Sequence, residues 1–348
     1  MLVKEFDYQL PPELVAQFPA PERDVSRLMV AFRKEKKIEH TIFAEIDNYL
    51  SSGDIIVVND TKVRPAKIFG RKETGGRVEV LLLQPLNSLE YPKEKNIWEA
   101  LIDCSKNPQI GSILSFGTEL NAQVVKQKKG GLWDIELIYA GDLEEILERI
   151  GKTPLPPYIK REDFGQEVFD RRCYQTIFAQ NIGSAAAPTA GLHFTERVLN
   201  RIKKRGVEVI SITLHVGVGT FQPVRVDKVE AHRMHSEYYE IPPESAKKIT
   251  QAIEHGQRII ACGTTSVRVL ETWISKKNTL SGFTDLFIYP GYKFQVVKGM
   301  ITNFHLPRST LLMLVSAFAG KEMILRAYQK AIAEKYRFYS YGDAMLIL

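Results

Sequence analysis

The stretch best suited to chemistry runs from residue 214 to 224 and has the sequence LHVGVGTFQPV. The apolar, β-branched run before it, residues 207–214, predicts a buried strand. His215 therefore stands at the carboxyl end of that strand, where open α/β sheets place ligands. Gly217 and Gly219 let the backbone turn sharply or approach a ligand closely. Taken alone, a glycine turn beside a buried, hydrogen-bonded histidine is the more common explanation.

A second candidate follows the predicted buried strand at residues 258–262. Gly263-Thr264-Thr265-Ser266 opens a predicted helix, whose first turn has free N–H groups and a partial positive charge. Arg268 lies close behind them, so the segment predicts a site for a carboxylate or a phosphate. Capping of the helix by Thr265 is the alternative.

A third candidate is TNFHLPRST at residues 302–310, again a strand exit ahead of a helix. His305 could act there as an acid, a base or a hydrogen-bond donor to a heterocycle, with Asn303 and Ser309 beside it. A capped helix with a satisfied histidine is the alternative, and it would be preferred if the segment stood alone. Three polar loops at strand exits make a shared cleft more probable than three separate turns.

Two shorter segments complete the set. The loop that contains Thr189 and His193 is rich in small residues, which would let a planar ligand approach the backbone. Close packing of the loop explains it equally well. Asn59, Asp60 and Lys62 follow an apolar strand at residues 54–58, of the kind found in buried parallel sheets.

Strands and helices alternate in residues 1–60 and 151–348, which predicts a largely parallel sheet with helices on both faces, an α/β domain. Residues 61–150 differ, because they hold short alternating runs separated by turn residues, and they predict an inserted all-β barrel domain. Its six strands are expected at residues 66–71, 77–84, 98–103, 112–116, 123–127 and 132–139. We also expect a helix at 41–46 and short strands at 286–288 and 294–297.

Composition narrows the class of protein. The 348 residues are 44% apolar and 25% charged, as in ordinary soluble proteins. Three scattered cysteines argue against a zinc site or a disulfide framework, so no metal and a cytoplasmic location are expected. The apolar runs predict neither a signal peptide nor a membrane span. The net charge of +6 is concentrated in residues 151–348, which suggests a polyanionic partner or a lysine-rich solubilising surface.

Taken together, the segments NDTKV, AAAPTAGLHF, LHVGVGTFQPV, GTTSVR and TNFHLPRST resemble the S-adenosylmethionine:tRNA ribosyltransferase-isomerases of queuosine biosynthesis. The match extends from residues 5–8 to 342–346. The resemblance implies that S-adenosylmethionine is a co-substrate that donates its ribosyl group to 7-aminomethyl-7-deazaguanine at the wobble position of a tRNA. Epoxyqueuosine-tRNA would be the product, with adenine and methionine released. It also implies an α/β domain with an inserted barrel, and we expect a monomer.

That reaction needs a base for a C5′ proton, a hydrogen-bond partner for the departing adenine and a site for the methionine carboxylate. We assign catalytic roles to His215, His305 and Asp60. We expect Thr264, Thr265 and Arg268 to bind the methionine carboxylate. The Thr189–His193 loop and Asn303 are expected to contact adenine or ribose. Asn59, Asp60 and Lys62 are expected to face the deazaguanine or the RNA. The predicted substrate contacts are Thr189, His193, Gly217, Gly219, Thr264, Thr265, Arg268, Asn303, Ser309, Asn59 and Lys62.

Two other functions compete with this hypothesis. A non-catalytic RNA-binding module would explain the charge but not three polar strand exits. A methyltransferase that uses S-adenosylmethionine would be expected to have an acidic residue, a glycine turn and a helix where this chain has His215 and Pro223. The chain also lacks the phosphate-binding sequence GxxxxGK[ST], so ATP-driven chemistry has no support.

Overall fold

The computed structural model describes residues 1–86, 95–161, 164–217 and 224–348. Within them it contains a nine-stranded mixed sheet covered by helices, a closed six-stranded antiparallel barrel and a small two-stranded sheet. The predicted fold class, an α/β sheet interrupted by an all-β barrel, is confirmed. The barrel strands lie between residues 67 and 139, within the predicted insertion. The two domain boundaries stay a prediction.

The elements are numbered in chain order. The strands are β1 (Arg27–Phe32), β2 (Lys37–Ile42), β3 (Ile55–Asn59), β4 (Thr61–Val63), β5 (Lys67–Lys72), β6 (Arg77–Pro85), β7 (Ile97–Asp103), β8 (Ile113–Phe116), β9 (Leu120–Gln127), β10 (Leu132–Tyr139), β11 (Asn181–Ser184), β12 (Glu208–Leu214), β13 (Glu237–Glu240), β14 (Ile259–Cys262), β15 (Ser281–Thr284), β16 (Gly299–Asn303) and β17 (Ala344–Ile347). The α-helices are α1 (Leu143–Ile150), α2 (Glu167–Cys173), α3 (Glu196–Lys204), α4 (Pro243–Glu254), α5 (Thr264–Ser275), α6 (Thr310–Ala319) and α7 (Lys321–Ala333).

The large sheet has the strand order β15-β13-β12-β3-β14-β16-β17-β1-β2. Strands β12, β3, β14 and β16 run parallel in its centre, and β1 pairs parallel with β17. The remaining neighbours are antiparallel, so the sheet is mixed. Every residue of β3, β14 and β16 is buried, as expected for central parallel strands with both faces covered.

Alternate residues of β3 supply two separate cores. Val57 packs into the core formed with helices α4 to α7, whereas Val58 packs on the opposite face with α3 and the 3-10 helix Phe43–Tyr49. Burying each such side chain contributes about 1.5–3 kcal/mol. The two cores hold the central strands rigid, and therefore they hold the loops at the carboxyl ends of those strands in place.

The barrel closes in the order β10-β7-β6-β5-β8-β9, and each predicted barrel strand overlaps an observed one. Its core is separate from those of the sheet and includes residues of α1, which is capped by Asp142. Gly70 is required where β5 crosses β8, because a Cβ there would lie 2.3 Å from the carbonyl oxygen of Ser115. Arg64, paired with Glu144 of α1 at 2.7 Å, joins the barrel to the chain that enters it.

Three local predictions are wrong. The expected helix at 41–46 is the end of β2, paired with β1, followed by the 3-10 helix. The expected strands at 286–288 and 294–297 are irregular. In the second case the carboxylate of Glu271 accepts the N–H groups of residues 295, 296 and 297 at 2.9–3.0 Å, so a side chain replaces a neighbouring strand.

Candidate active site

A cavity lies at the carboxyl ends of β12, β14 and β16. Its walls bring together three of the predicted loops. The predicted site residues that line it are Thr189, Thr264, Thr265, Asn303 and His305. Tyr158, Phe304, Leu306 and Leu311 add apolar and aromatic surface. A polar floor with apolar walls is the usual construction of a small-molecule site.

The first turn of α5 forms one wall. Gly263 precedes it with φ +89°, a left-handed conformation that favours glycine, and no side chain caps the helix. Thr265 therefore does not cap the helix, because it lies inside its first turn. Among the described residues none accepts the N–H groups of Thr264, Thr265 and Ser266. An anion in the cavity would satisfy these donors and the positive end of the helix dipole.

Asn59 holds this wall in place from behind. Its Nδ2 donates to the Leu214 carbonyl (3.0 Å) and to Thr265 Oγ1 (3.3 Å). Its Oδ1 accepts from the N–H groups of Leu214 (3.0 Å) and Thr61 (3.1 Å). The buried amide thus has both of its donors and its acceptor engaged. We correct its predicted contact with deazaguanine or RNA, since Asn59 joins β3, β12 and α5 instead.

Asn303 and His193 form a hydrogen-bonded chain behind the opposite wall. Thr189 Oγ1 donates to Asn303 Oδ1 (3.0 Å), and Asn303 Nδ2 donates to His193 Nε2 (3.1 Å). His193 Nδ1 then carries the proton and donates to Ser26 Oγ (2.8 Å). Burial, followed by the charges of Arg337 and Arg23, lowers the pKa of His193 to about 3. The neutral ring orients the Asn303 amide and does not itself line this cavity.

His305 lines the cavity as a buried side chain. Its Nε2 is 2.7 Å from Thr302 Oγ1, and its backbone N–H donates to the Tyr328 hydroxyl (2.8 Å). Burial lowers the pKa of His305 to about 3. The imidazole is therefore neutral near pH 7, so it is not a proton donor of useful strength, and it can accept a proton only as a weak base.

His215 belongs to a separate cluster with Asp60 and Thr61. His215 Nδ1 is 2.8 Å from Thr61 Oγ1, and its ring packs so closely on Gly183 that a Cβ there would lie 2.6 Å from it. Burial, followed by the charge of Arg64, lowers the pKa of His215. The next residue, Val216, lines the cavity, whereas the imidazole is not part of its wall.

Asp60, the acidic member of that cluster, is buried. Its Oδ1 accepts hydrogen bonds from Thr213 Oγ1 (2.7 Å) and Asn181 Nδ2 (3.1 Å). Burial raises the pKa of its carboxyl group. Lys62 is half-buried on β4, which pairs with β11. Sequence reasoning missed this β4–β11 pair, because its strands are short and pair only with each other.

Arg268 is the clearest correction. Its guanidinium forms an ion pair with Glu237 and donates to the carbonyls of Leu286 (3.1 Å) and Thr284 (3.2 Å). Each nitrogen thus has a protein acceptor, and Arg268 is not available for the carboxylate. Glu237 in turn accepts the N–H of Gly217 at 2.8 Å. Arg268 and Glu237 therefore fix the start of the glycine loop, and Gly219 lies outside the described residues.

Ser309 is the second such correction. Its Oγ accepts the N–H of Leu312 (3.2 Å) and donates to the Leu306 carbonyl (2.7 Å), so it caps α6. Sequence reasoning also missed three residues that contact the predicted ones: Ser26, Thr302 and Gly183. Of these, Thr302 could have been found from its position in TNFH, one residue before Asn303.

Neither a membrane-spanning helix nor a cluster of metal ligands occurs in the parts of the chain that the structure describes. No helix there is long and apolar enough to cross a membrane. No group of three or more histidine, cysteine or acidic side chains there is arranged to hold a metal ion.

The chain is similar to known proteins over nearly its whole length. Residues 3–347 match a family model described as "Queuosine biosynthesis protein". The chain is 50% identical, over the full length of both chains, to the S-adenosylmethionine:tRNA ribosyltransferase-isomerases of Desulforamulus reducens and Halothermothrix orenii. It is also similar to the crystal structure of a Thermotoga maritima S-adenosylmethionine tRNA ribosyltransferase, with 37% identity, a TM-score of 0.55 and coverage of 99% of this chain and 100% of that one.

Proposed function

The chain belongs to the queuosine-biosynthesis family of S-adenosylmethionine:tRNA ribosyltransferase-isomerases, and from this we propose that the cavity at the ends of β12, β14 and β16 binds S-adenosylmethionine. The enzyme moves the ribosyl group of S-adenosylmethionine to tRNA and isomerises it. The proposed acceptor is 7-aminomethyl-7-deazaguanine at the wobble position, and the products are epoxyqueuosine-tRNA, adenine and methionine. We further propose a cytoplasmic monomer, and its three unpaired cysteines fit the reducing compartment.

The observation that carries the proposal is the uncapped first turn of α5 in the cavity wall. The methionine carboxylate would accept the free N–H groups of this turn and the hydroxyl of Thr264. Hydrogen bonds to a charged group are worth about 1.5–3 kcal/mol each. Thr265 contributes through its N–H, and its hydroxyl, which accepts from Asn59, keeps its own proton to donate. Arg268 has no direct part in binding the carboxylate.

The opposite wall would hold the nucleoside part of the donor. Asn303 donates both amide hydrogens, to His193 and to the Tyr339 carbonyl. It accepts from Thr189, so the second lone pair of its Oδ1 is what it offers to adenine or ribose. His305 is neutral and lies in the same wall, so its proposed role is to accept a proton or a hydrogen bond near the sulfonium-activated C5′. A pKa of about 3 argues against His305 as the acid that protonates adenine.

The cluster of His215, Asp60 and Thr61 would serve the acceptor. His215 is neutral, and Thr61 holds its Nδ1, which leaves Nε2 as the basic nitrogen. We assign it the proton that the aminomethyl group loses when it attacks the ribosyl carbon. Lys62, on β4 at the entrance to the barrel, would face the RNA backbone. Asp60 orients Thr213 and Asn181 and is proposed to tune the charge beside His215.

The test is adenine release from S-adenosylmethionine in the presence of a tRNA that carries the acceptor base. His305→Asn and His215→Asn should each lower the rate about 100-fold or more, because each removes a positioned base. The exposed His255 is the matched control, and His255→Asn should leave the rate unchanged. Near wild-type rates in both site variants would contradict the acid–base assignment.

Two product measurements separate the competing functions. An RNA-binding module would give no heat when titrated calorimetrically with S-adenosylmethionine. A methyltransferase would release S-adenosylhomocysteine instead of adenine. Heat on binding together with adenine as the product supports the proposal over both.

A further inference from the structure

A second cavity lies beside the first and has a different character. The charged side chains in its described lining are three arginines, Arg23, Arg172 and Arg337, and that lining contains no carboxylate. Its uncharged lining includes Pro19, Pro21, Leu192 and Tyr341. We call it the arginine cavity.

Neighbouring carboxylates neutralise these arginines only in part. Asp24 is paired with Arg197 (2.7 Å) and Asp170 with Arg161 (2.8 Å). Asp343 accepts the backbone N–H groups of residues 27 and 337, and the Nε of Arg337 is 3.8 Å from it, too far for a hydrogen bond. The arginine cavity therefore keeps a positive charge that nearby protein groups offset only in part.

Arg23 shows most directly that the described lining of the cavity offers too few hydrogen-bond acceptors for its arginines. Its Nη2 donates to the Arg172 carbonyl at 3.2 Å, while its Nη1 is buried and has no hydrogen-bond partner among the described residues. Buried polar groups are nearly always satisfied, so an unsatisfied guanidinium nitrogen in a cavity wall points to an acceptor supplied from outside. Guanidinium groups match the oxygens of a phosphate especially well, because their donors form a planar fork.

The arginine cavity adjoins the proposed donor site. Ser340 lines both cavities, and His193 lines the arginine cavity while it holds the amide of Asn303 in the other. A ligand in the arginine cavity would thus lie one hydrogen-bonded pair away from the proposed position of S-adenosylmethionine. That molecule has no phosphate, so the acceptor RNA is the substrate whose chemistry fits.

We propose that the arginine cavity binds a backbone phosphate of the RNA strand, close to the nucleotide that is modified. The inference rests on the proposed function and adds a substrate contact to it. Phosphate contacts position an RNA without reading its sequence, so this cavity would set where the strand lies relative to the donor. A free phosphate or a mononucleotide offers the same phosphate oxygens. The test must therefore distinguish these small anions from the RNA strand.

The test measures the affinity of two protein variants, Arg172→Gln and Arg23→Gln, for an unmodified tRNA transcript as a function of salt concentration. Arg172 is exposed, so its replacement should not disturb folding, and Arg23→Gln extends the test to the half-buried arginine. Each variant should raise the Kd about tenfold and lower the slope of log K against log[salt] by about 0.7–1. Lys247→Gln, which removes an exposed charge on α4, is the matched control and should change neither quantity much.

Calorimetric titration of the same variants with S-adenosylmethionine separates this inference from the proposed function. Unchanged donor binding with weakened tRNA binding supports the inference. An affinity and salt slope equal to those of Lys247→Gln would overturn it, even if the enzyme releases adenine normally. Calorimetry with inorganic phosphate is the last arm: heat that Arg172→Gln abolishes, without any change in tRNA affinity, would assign the cavity to a small anion and overturn the RNA contact. An absence of heat with S-adenosylmethionine in the wild type would instead refute the proposed function.

Discussion

The first turns of α5 and α6 begin with similar residues but are built differently. Both follow a central strand exit, and both combine serine with threonine, so each resembles a capped helix or an anion site in sequence. Before α6, Ser309 has φ −89° and its hydroxyl accepts the N–H of Leu312. Before α5, Gly263 has φ +89° and provides no side chain.

The difference teaches that the residue at the cap position, and not the number of hydroxyls, decides whether a helix start can bind a ligand. In α6 the helix satisfies its own N–H group, and Ser309 contributes stability. In α5 the hydroxyls of Thr265 and Ser266 already contact Asn59 and the Cys262 carbonyl, which leaves the free N–H groups facing the cavity. The first is a structural terminus and the second is a binding terminus.

The largest effect that we expect is a loss of folding stability at low pH. It comes from the buried histidines that support the cavity wall opposite α5. The pKa of His193 and of His305 is about 3 in the folded protein and about 6.5 when unfolded. The unfolded chain therefore binds more protons below pH 6.5, so their contribution to stability is complete above that pH and is lost as the pH falls towards 3. By pH 5 each should cost about 2 kcal/mol.

Urea unfolding between pH 7 and 5 checks this expectation. His305→Gln should flatten the pH dependence, because the amide can keep a hydrogen bond to Thr302 without titrating. The exposed His255→Gln is the control and should keep the wild-type slope. A parallel loss of stability in the wild type and His305→Gln would mean that His305 is not the titrating group.

The next effect concerns the binding terminus itself. Gly263→Ser should weaken S-adenosylmethionine about tenfold or more, because it adds a side chain at the mouth of the anion site and strains a left-handed residue. Gly256→Ser is matched in conformation, with φ +67°, but lies in open space at the end of α4. It should lose similar stability, about 1 kcal/mol, and retain donor affinity. Equal donor affinities in the two variants would remove the anion site from α5.

A smaller effect is expected at the structural terminus. Ser309→Ala should lower the free energy of unfolding by about 1 kcal/mol, the usual cost of a lost cap, and leave the Kd for S-adenosylmethionine within about twofold. Thr195→Ala, which removes the cap of α3, should have a comparable cost. Calorimetric binding together with urea unfolding checks both quantities. A large rise in Kd for Ser309→Ala would return Ser309 to the substrate contacts.

The sequence predicted well what depends on nearby residues. All six barrel strands follow from alternating runs, and the central strands β3, β12 and β14 follow from apolar ones, whereas no strand was predicted over the range of β16. The meeting of Thr265, Asn303 and His305 follows from the rule that parallel strands end at one edge of a sheet. Of the two short strands predicted after β15, the one at residues 294–297 failed because the N–H groups of residues 295–297 are satisfied by the distant carboxylate of Glu271.

Polar side chains were harder to assign, because their partners come from elements that local patterns do not bring together. Arg268 pairs with Glu237 on β13, and Asn59 fills its hydrogen bonds with β12 and α5. Nothing near either residue in the chain indicates these partners. The arginines beside His193 are distant in sequence for the same reason, and only the folded chain brings Arg23, Arg172 and Arg337 to one cavity.

The finest comparison is between the first residues of the two helices. Thr264 opens α5 and Thr310 opens α6, and both are buried, but Thr264 lines the proposed donor site and Thr310 does not. Replacing each with the isosteric valine removes only a hydroxyl. Thr264→Val should raise the Kd for S-adenosylmethionine about tenfold, the value of one hydrogen bond to a charged acceptor at its lower end, and Thr310→Val should leave it within about twofold. Calorimetry on both variants decides the point: if they bind the donor equally well, the carboxylate does not contact the Thr264 hydroxyl, and its attraction to α5 must come from the backbone N–H groups alone.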